Sequence, residues 1–330
     1  MGSFFGLDLG SSQIKVAQAE KSRAGFKLQH LAVESVINET EAEAIKKAMS
    51  AAGIRLSSEV NLALPESEVY TRIVDIPKLS ENELASAIQF EAEQYVPISL
   101  DQVELFHQIL TPENTVDSKT MKVLLIAAPK DRLAKMTGLL DDAGLLPRNL
   151  ETELFALKRV LADPGRYQLL LLLSHKTTDM LVVYKGEPVL LHSLPGGGLA
   201  LTKSLVAEMG LSEMQAEQYK HTYGLRQDLL EGKVAAVLTP LMNELVNQID
   251  KAYVYLNDQG YKKVPEQVVL AGGGALLPGL TSFLVSKLNT EVVVADPFKQ
   301  FIKDDAFRKL VPTEANPQWA VAVGLAIKGW

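Results

Sequence analysis

The sequence predicts an α/β protein made of two related halves that face each other across a cleft. Three observations carry this reading. The order strand, strand, strand, helix occurs twice, once from Phe4 and again after the Asp163-Pro164-Gly165 turn. Small-residue turns follow apolar strands at three places: Gly10-Ser11-Ser12, Gly196-Gly197-Gly198 and Gly272-Gly273-Gly274. The length of 330 residues accommodates two domains, at roughly 150 residues each. Hydrophobic residues make up 47% and charged residues 22%, a globular balance that excludes a disordered chain.

The elements follow in order. Phe4–Leu9 and Ile14–Ala19 alternate apolar with small or polar residues around the Gly10 turn, which predicts an N-terminal hairpin. Lys27–Val36 is a third strand, and Glu41–Ala52 is a helix ended by Gly53. Val60–Leu64 and Tyr70–Ile76 are strands stopped by Pro65 and Pro77. Ser80-Glu81-Asn82-Glu83 is a capping box that opens a helix through Ile88 and Tyr95 to Pro97. Strands at Val103–Leu110 and Met121–Ala128 flank a polar loop, Thr111–Thr120, and a helix over Lys130–Ala143 ends at Gly144. Residues 1–77 are thus expected to form a first main unit, with 78–150 a small inserted α/β unit and 151–163 a helix that returns to the first. Gln168–Ser174, Asp179–Tyr184 and Pro188–Leu194 repeat the three strands, and Gly196–Gly198 opens a helix through Met209. Residues 164–210 and 265–330 are expected to form the second main unit, interrupted by a mainly helical segment at 211–264. The last elements are a strand ending at Ala271, a helix after Pro278-Gly279, a strand at Val292–Ala295 and a helix near 317–328.

Composition and motifs narrow the chemistry. A net charge of −7 disfavours nucleic acid, which needs a cationic face. The absence of cysteine removes disulfides, thiol nucleophiles and thiolate metal sites. No apolar run approaches the ~20 residues that cross a bilayer. The start lacks the basic region of a signal peptide, so a soluble cytoplasmic chain is expected, one that reaches a membrane only through partners. The five histidines are not paired at helical spacing, and neither a P-loop nor a G-x-S-x-G elbow occurs. Leu201 and Leu277 occupy the third position where a G-x-G-x-x-G motif needs glycine.

What remains is Gly6-Leu7-Asp8-Leu9-Gly10-Ser11-Ser12-Gln13-Ile14-Lys15. A hairpin tip of small residues presents backbone N–H groups and two hydroxyls that suit phosphate oxygens. Lys15 can offset phosphate charge, and Asp8 can hold Mg²⁺ through water. By spacing alone, a plain turn with a solvated lysine fits these residues as well. Gly197-Gly198 at a helix start offers N–H groups to an anion, and Gly272-Gly273-Gly274 permits close approach to a flat base. Together the three turns point to a nucleotide between the halves.

These residues resemble the actin-like ATPase superfamily and, within it, the PilM family of cytoplasmic type IV pilus assembly proteins, along nearly the whole chain. Gly6-x-Asp8-x-Gly10-Ser11-Ser12-x-x-Lys15 resembles the first phosphate motif. Ile76-Pro77-x-Leu79-Ser80-x-x-Glu83-Leu84, with Glu91-Ala92-Glu93-Gln94-Tyr95-Val96-Pro97, resembles the inserted subdomain shared with FtsA, in its PilM version. Gly197-Gly198-x-x-Leu201-Thr202 resembles the loop downstream of the second phosphate motif, and Ala216-Glu217-x-x-Lys220 the helix that meets ribose and adenine. Leu270-Ala271-Gly272-Gly273-Gly274-Ala275 resembles the adenosine motif, with Asp296-Pro297-Phe298 after it. The resemblance implies an actin-like fold with an FtsA-type insertion, and ATP with Mg²⁺ held by the residues just quoted. One departure stands out. Where the family carries Asp-x-Gly in its second phosphate motif, this sequence has Leu172 and Ser174, with Asp179 further along. Loss of that carboxylate implies binding of ATP with slow or absent hydrolysis.

The resemblance also implies a scaffold. PilM-like proteins lie beneath the inner membrane and hold the N-terminal cytoplasmic peptide of PilN in a groove between the first and inserted subdomains. Candidate walls are Tyr70 and Ile73 on a strand and Leu84, Ile88 and Tyr95 on the next helix. The i, i+4 spacing of Leu84 and Ile88 suits plain core packing too. Other pilus inner-membrane components and a second copy of the chain are further expected partners. Alternatives are an FtsA-like cell-division scaffold, a GspL-like secretion component and a small-molecule kinase of the same superfamily. The first two are expected to continue into a membrane-binding helix or a transmembrane segment, and reading Ala326–Trp330 as the direct continuation of a domain helix weighs against both. No motif for a sugar or acetate pocket supports the third.

Overall fold

The computed structural model describes residues 4–36, 39–54, 59–110, 119–261, 264–311 and 316–330, except the side chains of residues 81 and 82. In chain order the first half carries β1 (Phe4–Leu9), β2 (Gln13–Ser22), β3 (Gly25–Ser35), α1 (Glu41–Ala52) and β4 (Glu59–Leu64). Next come β5 (Tyr70–Pro77), α2 (Glu81–Tyr95), β6 (Val103–Ile109), β7 (Thr120–Pro129), α3 (Lys130–Ala143), β8 (Leu146–Thr152) and α4 (Glu153–Leu161). The second half has β9 (Gln168–Leu173), β10 (Thr177–Tyr184), β11 (Glu187–Pro195), α5 (Gly198–Met209), α6 (Glu213–Tyr223) and α7 (Lys233–Asp258). It closes with β12 (Gln267–Ala271), α8 (Leu280–Leu288), β13 (Glu291–Val294), α9 (Asp305–Leu310) and α10 (Ala320–Ala326).

The duplication expected from element order extends to topology. One sheet runs β3-β2-β1-β4-β8 and the other β11-β10-β9-β12-β13. In each, the first three strands form an antiparallel meander, and the last two join parallel to the central strand. The inner faces of both sheets pack on α4 and α10: Ala17, Ala63, Leu170, Leu172 and Leu181 share one core with Leu154, Leu157 and Val323. The small residues of α10 allow backbone-to-backbone contact. A Cβ on Gly324 would lie 2.1 Å from the Ala156 carbonyl, and one on Gly6 would lie 2.3 Å from that of Ala322. Gly6 is therefore a packing residue of β1 against α10, which explains a glycine ahead of Asp8 without any ligand.

Outer faces have separate cores. Leu205, Leu238, Ile249 and Leu284 cover the second sheet, while Ile45, Met49 and Leu140 cover the first. Asn61 ties the seam together: its amide donates to the Leu325 and Lys328 carbonyls at 2.9 and 3.1 Å, and its oxygen accepts from Asn149 at 2.8 Å. Burying it without those partners would cost about 1–3 kcal/mol.

The boundaries expected for the inserted unit differ at both ends. β5 pairs with β7 in a separate three-stranded sheet, β5-β7-β6, instead of closing the first unit. At the other end, β8 pairs parallel with β4 and α3 packs beside α1, so both belong to the first half. The helix expected from residue 151 starts at Glu153, because Glu151 and Thr152 are still paired with Ala63 and Leu64. β8 was hidden in the sequence by its polar pattern and by Pro147, which an edge strand tolerates. The short helix α9 was not anticipated either. Most of the expected polar loop, residues 111–118, lies outside the described residues.

Candidate functional site

Parallel strands of an α/β sheet place ligands beyond their carboxyl ends. Here those ends carry the chemistry of both halves. Asp8 lies at the end of β1 with Gly10 just past it, Glu66 lies just past β4, and Glu153 lies just past β8. Ser174 follows β9 and Gly272 follows β12.

Asp8 is buried and pairs across the hairpin with Lys15, Oδ2 to Nζ at 3.2 Å. Beyond them, Ser11 is exposed and Ser12 half-buried, and neither hydroxyl bonds to another described residue. Gly10 is required by closeness, since a Cβ there would sit 2.6 Å from the Gln13 carbonyl.

Two carboxyls missed at the sequence level join this floor. Glu153 heads α4, and its pKa stands well above the ordinary carboxylate value. Burial is the main cause, and the charges of Asp8, Asp179 and Glu66 add to it against Lys15. Glu66 is only 4% exposed. Burial pushes its pKa up to about 7, opposed by the Thr71 and Thr152 hydroxyls beside it. Those hydroxyls and both Glu66 oxygens nevertheless fall short of hydrogen-bonding geometry. Position after a parallel strand was the signal that could have found both; for Glu153 it was concealed because β8 does not read as a strand in the sequence.

The second-half turns are more occupied than their sequence suggests. The N–H groups of Gly198 and Leu199, expected to face an anion, donate to the Ser174 and His175 carbonyls at 3.0 and 2.8 Å. A Cβ on Gly197 would lie 2.4 Å from Ser174 O, so this glycine seats the start of α5 on the β9–β10 turn. Lys220 is buried, and its ammonium donates to Gly198 O, Thr202 Oγ1 and Glu217 Oε2 at 3.1, 2.9 and 2.7 Å. Burial opposes ionisation of Glu217, but the bonds from Lys220 and Thr202 outweigh it and lower its pKa. Gly272 and Gly274 press on Leu173, whereas Gly273 is open on its side-chain face. Asp179 lies on β10, opposite Leu172. It is fully buried and accepts from the Thr177 hydroxyl at 2.9 Å and from that of Ser193. Burial raises its pKa against those two bonds.

The expected partner residues divide. Leu84 and Ile88 are 5% and 6% exposed in the core of the small sheet, beside Val74 and Val123, so packing is their role. Ile73 is half-buried on β5. Tyr95 is exposed, with the Arg72 guanidinium 4.2 Å from its ring centre. Tyr70, Arg72 and Tyr95 line a cavity of about 230 Å³ that reaches His192 and Ser193 of β11. Tyr70 also borders a cavity of about 450 Å³ between Ile98 and the first turn of α3. Among the described residues, no helix is long and apolar enough to cross a membrane, and no three acidic or histidine side chains are arranged to chelate a metal.

Two matched sheets about a shared helical seam, with polar strand ends turned inward, define the actin-like ATPase class of fold. Comparison with known proteins agrees. MreB5 of Spiroplasma citri bound to ADP shares the fold at a TM-score of 0.54 and 13% identity, over 100% of this chain and 96% of that one. The cell division protein FtsA of Streptococcus pneumoniae serotype 2 (strain D39 / NCTC 7466) is 22% identical over 388 residues, 99% of this chain and 83% of FtsA. The solved PilM-PilN type IV pilus biogenesis complex is similar at a TM-score of 0.84 and 25% identity, over 99% of this chain and 98% of that one. A family model described as type IV pilus assembly protein PilM matches residues 6–330. The chain belongs to the PilM family of type IV pilus assembly proteins.

Proposed function

We propose that this chain is an ATP-binding scaffold that holds a membrane partner's cytoplasmic peptide within the inner-membrane part of a type IV pilus machine. The observation that carries the nucleotide reading is the convergence of Asp8, Gly10, Lys15, Glu66 and Glu153 at the strand ends of one half, opposite Asp179 and Gly272–Gly274 of the other. The residues suit Mg·ATP. Ser11, Ser12 and the N–H groups around Gly10 would take phosphate oxygens, Lys15 would offset their charge, and Asp8 would hold Mg²⁺ through water. Gly273 would offer a base an open glycine face. Glu217 meets the ribose, while Lys220 holds Glu217 and the α5 start in place. Hydrolysis is slow or absent, because Leu172 supplies no carboxylate to position water and metal. Nucleotide titration of the purified chain tests this reading, alongside phosphate release. Brisk release that Asp8→Ala abolishes would contradict the scaffold role, and sugar-dependent ATP consumption would favour a kinase.

The partner is a PilN-type N-terminal peptide, which would also bring the chain to the membrane. The solved PilM-PilN complex supports this reading. The peptide lies across Tyr70, with Tyr95 on one side and Ile98 on the other. Arg72→Ala and Tyr70→Ala should each weaken a labelled peptide of this kind by at least about tenfold while leaving the melting temperature unchanged. Unaltered affinity in both would remove these residues from the groove.

A further inference from the structure

Buried polar atoms are nearly always hydrogen-bonded. Four that are not lie together: both oxygens of Glu66 and the hydroxyls of Thr71 and Thr152 beside them. Glu66 and Thr71 line the same cavity of about 230 Å³ as Tyr70, Arg72 and Tyr95. Arg72 and Tyr95 are exposed and form its mouth, whereas Glu66, almost wholly buried, forms its floor.

The charges around that floor favour a cation. Asp179 of β10 adds its negative charge to the burial that raises the Glu66 pKa. Glu153 of α4 is a further carboxyl, acted on by Glu66 and Asp179 alike. The bases nearby are engaged elsewhere. Lys15 of β2 is paired with Asp8 of β1. The Arg72 guanidinium of β5 lies 4.2 Å from the ring centre of Tyr95 on α2. Burial lowers the pKa of His192 on β11, toward the neutral imidazole.

Resting on the peptide reading above, we propose that this cavity is the subsite for a positively charged group of the bound peptide, a basic side chain or the terminal amine, with Glu66 as its counter-ion. An ammonium carries three donors, which match the two Glu66 oxygens and the Thr71 hydroxyl. Tyr70 and Tyr95 give the stem of a basic side chain apolar walls on its way in. A buried carboxylate alone is costly, and a hydrogen-bonded cation offsets that cost. The subsite therefore also selects: an acidic or apolar group at this point of the peptide would leave Glu66 repelled or unpaired. Below about pH 7 the Glu66 carboxyl of the empty cavity is mostly protonated, and an incoming cation displaces that proton.

The test is a calorimetric titration of the full, nucleotide-free chain with the N-terminal peptide of its PilN-type partner. Binding should be about tenfold tighter at about pH 8 than at about pH 6, with a proton released at the lower pH. Glu66→Gln should abolish both the rise and the release, and weaken binding about tenfold at the higher pH. On the natural chain, the rise should vanish when one basic residue of the peptide is replaced by norleucine or citrulline, or when its terminal amine is acetylated. A Glu66→Gln chain that keeps the rise overturns the proposal and leaves the four orphan atoms to buried water. An equal loss at both pH values also overturns it, since it would mark a packing role, as does a scan in which no single replacement removes the rise. If the natural chain binds no peptide at either pH, the groove reading fails and this inference with it. If Glu66→Gln does not fold, the scan on the natural chain decides alone.

Discussion

Glu66 has a pKa raised to about 7 by burial, so its carboxyl holds a proton more tightly in the folded chain than in the unfolded one, where 4.5 applies. Between those values the folded state binds more protons, so stability falls as pH rises across the window. The full swing corresponds to about 3 kcal/mol. Glu66→Gln should flatten the melting temperature of the metal-free chain across this pH range and raise it at the alkaline end. Melts at several pH values check this, and an unchanged slope would show that Glu66 is not the titrating group. The residue scale also shows where sequence reasoning stopped. Asp8, Gly10 and Lys15 were legible because they sit together in one hairpin. Glu66 and Glu153 were not, because their meaning comes from parallel strands that pair across long sequence distances. Leu84 and Ile88 show the converse: their spacing defined a helix face, but only the tertiary structure shows what that face meets.

Among the elements, α10 decides how close the two halves stand. Four of its seven residues are alanine or glycine, and Gly324 meets α4 backbone to backbone. Gly324→Ala and Gly6→Ala should each destabilise by at least about 1–3 kcal/mol, since the clashing atoms are main chain and cannot rotate away. Denaturant unfolding measures this, and a shift under a few tenths of a kcal/mol would refute the close packing. Leu84→Ala should cost about 2–5 kcal/mol in the small sheet's core. Strong elements were readable: the capping box at Ser80 and left-handed glycines at Gly53 and Gly144 mark helix ends in the structure as in the sequence. Sheet membership was not. β5 has the alternation of any half-buried strand, and nothing local says that β7 rather than β4 is its neighbour. β8, polar and carrying Pro147, lacks even that alternation.

On the scale of the whole molecule, the two sheets share one topology without sharing a sequence repeat, and the cleft follows from their opposition. A ligand there binds only the folded state, so it must stabilise the protein by mass action, by about 2.7 kcal/mol at a hundredfold excess over its dissociation constant. Mg·ATP should therefore raise the melting temperature. The most direct test of the account is a calorimetric titration of the purified chain with Mg·ATP. A saturable isotherm with one nucleotide per chain is the predicted result. An absence of saturable heat would contradict it, and would reduce the matched strand ends to turns that serve the fold alone.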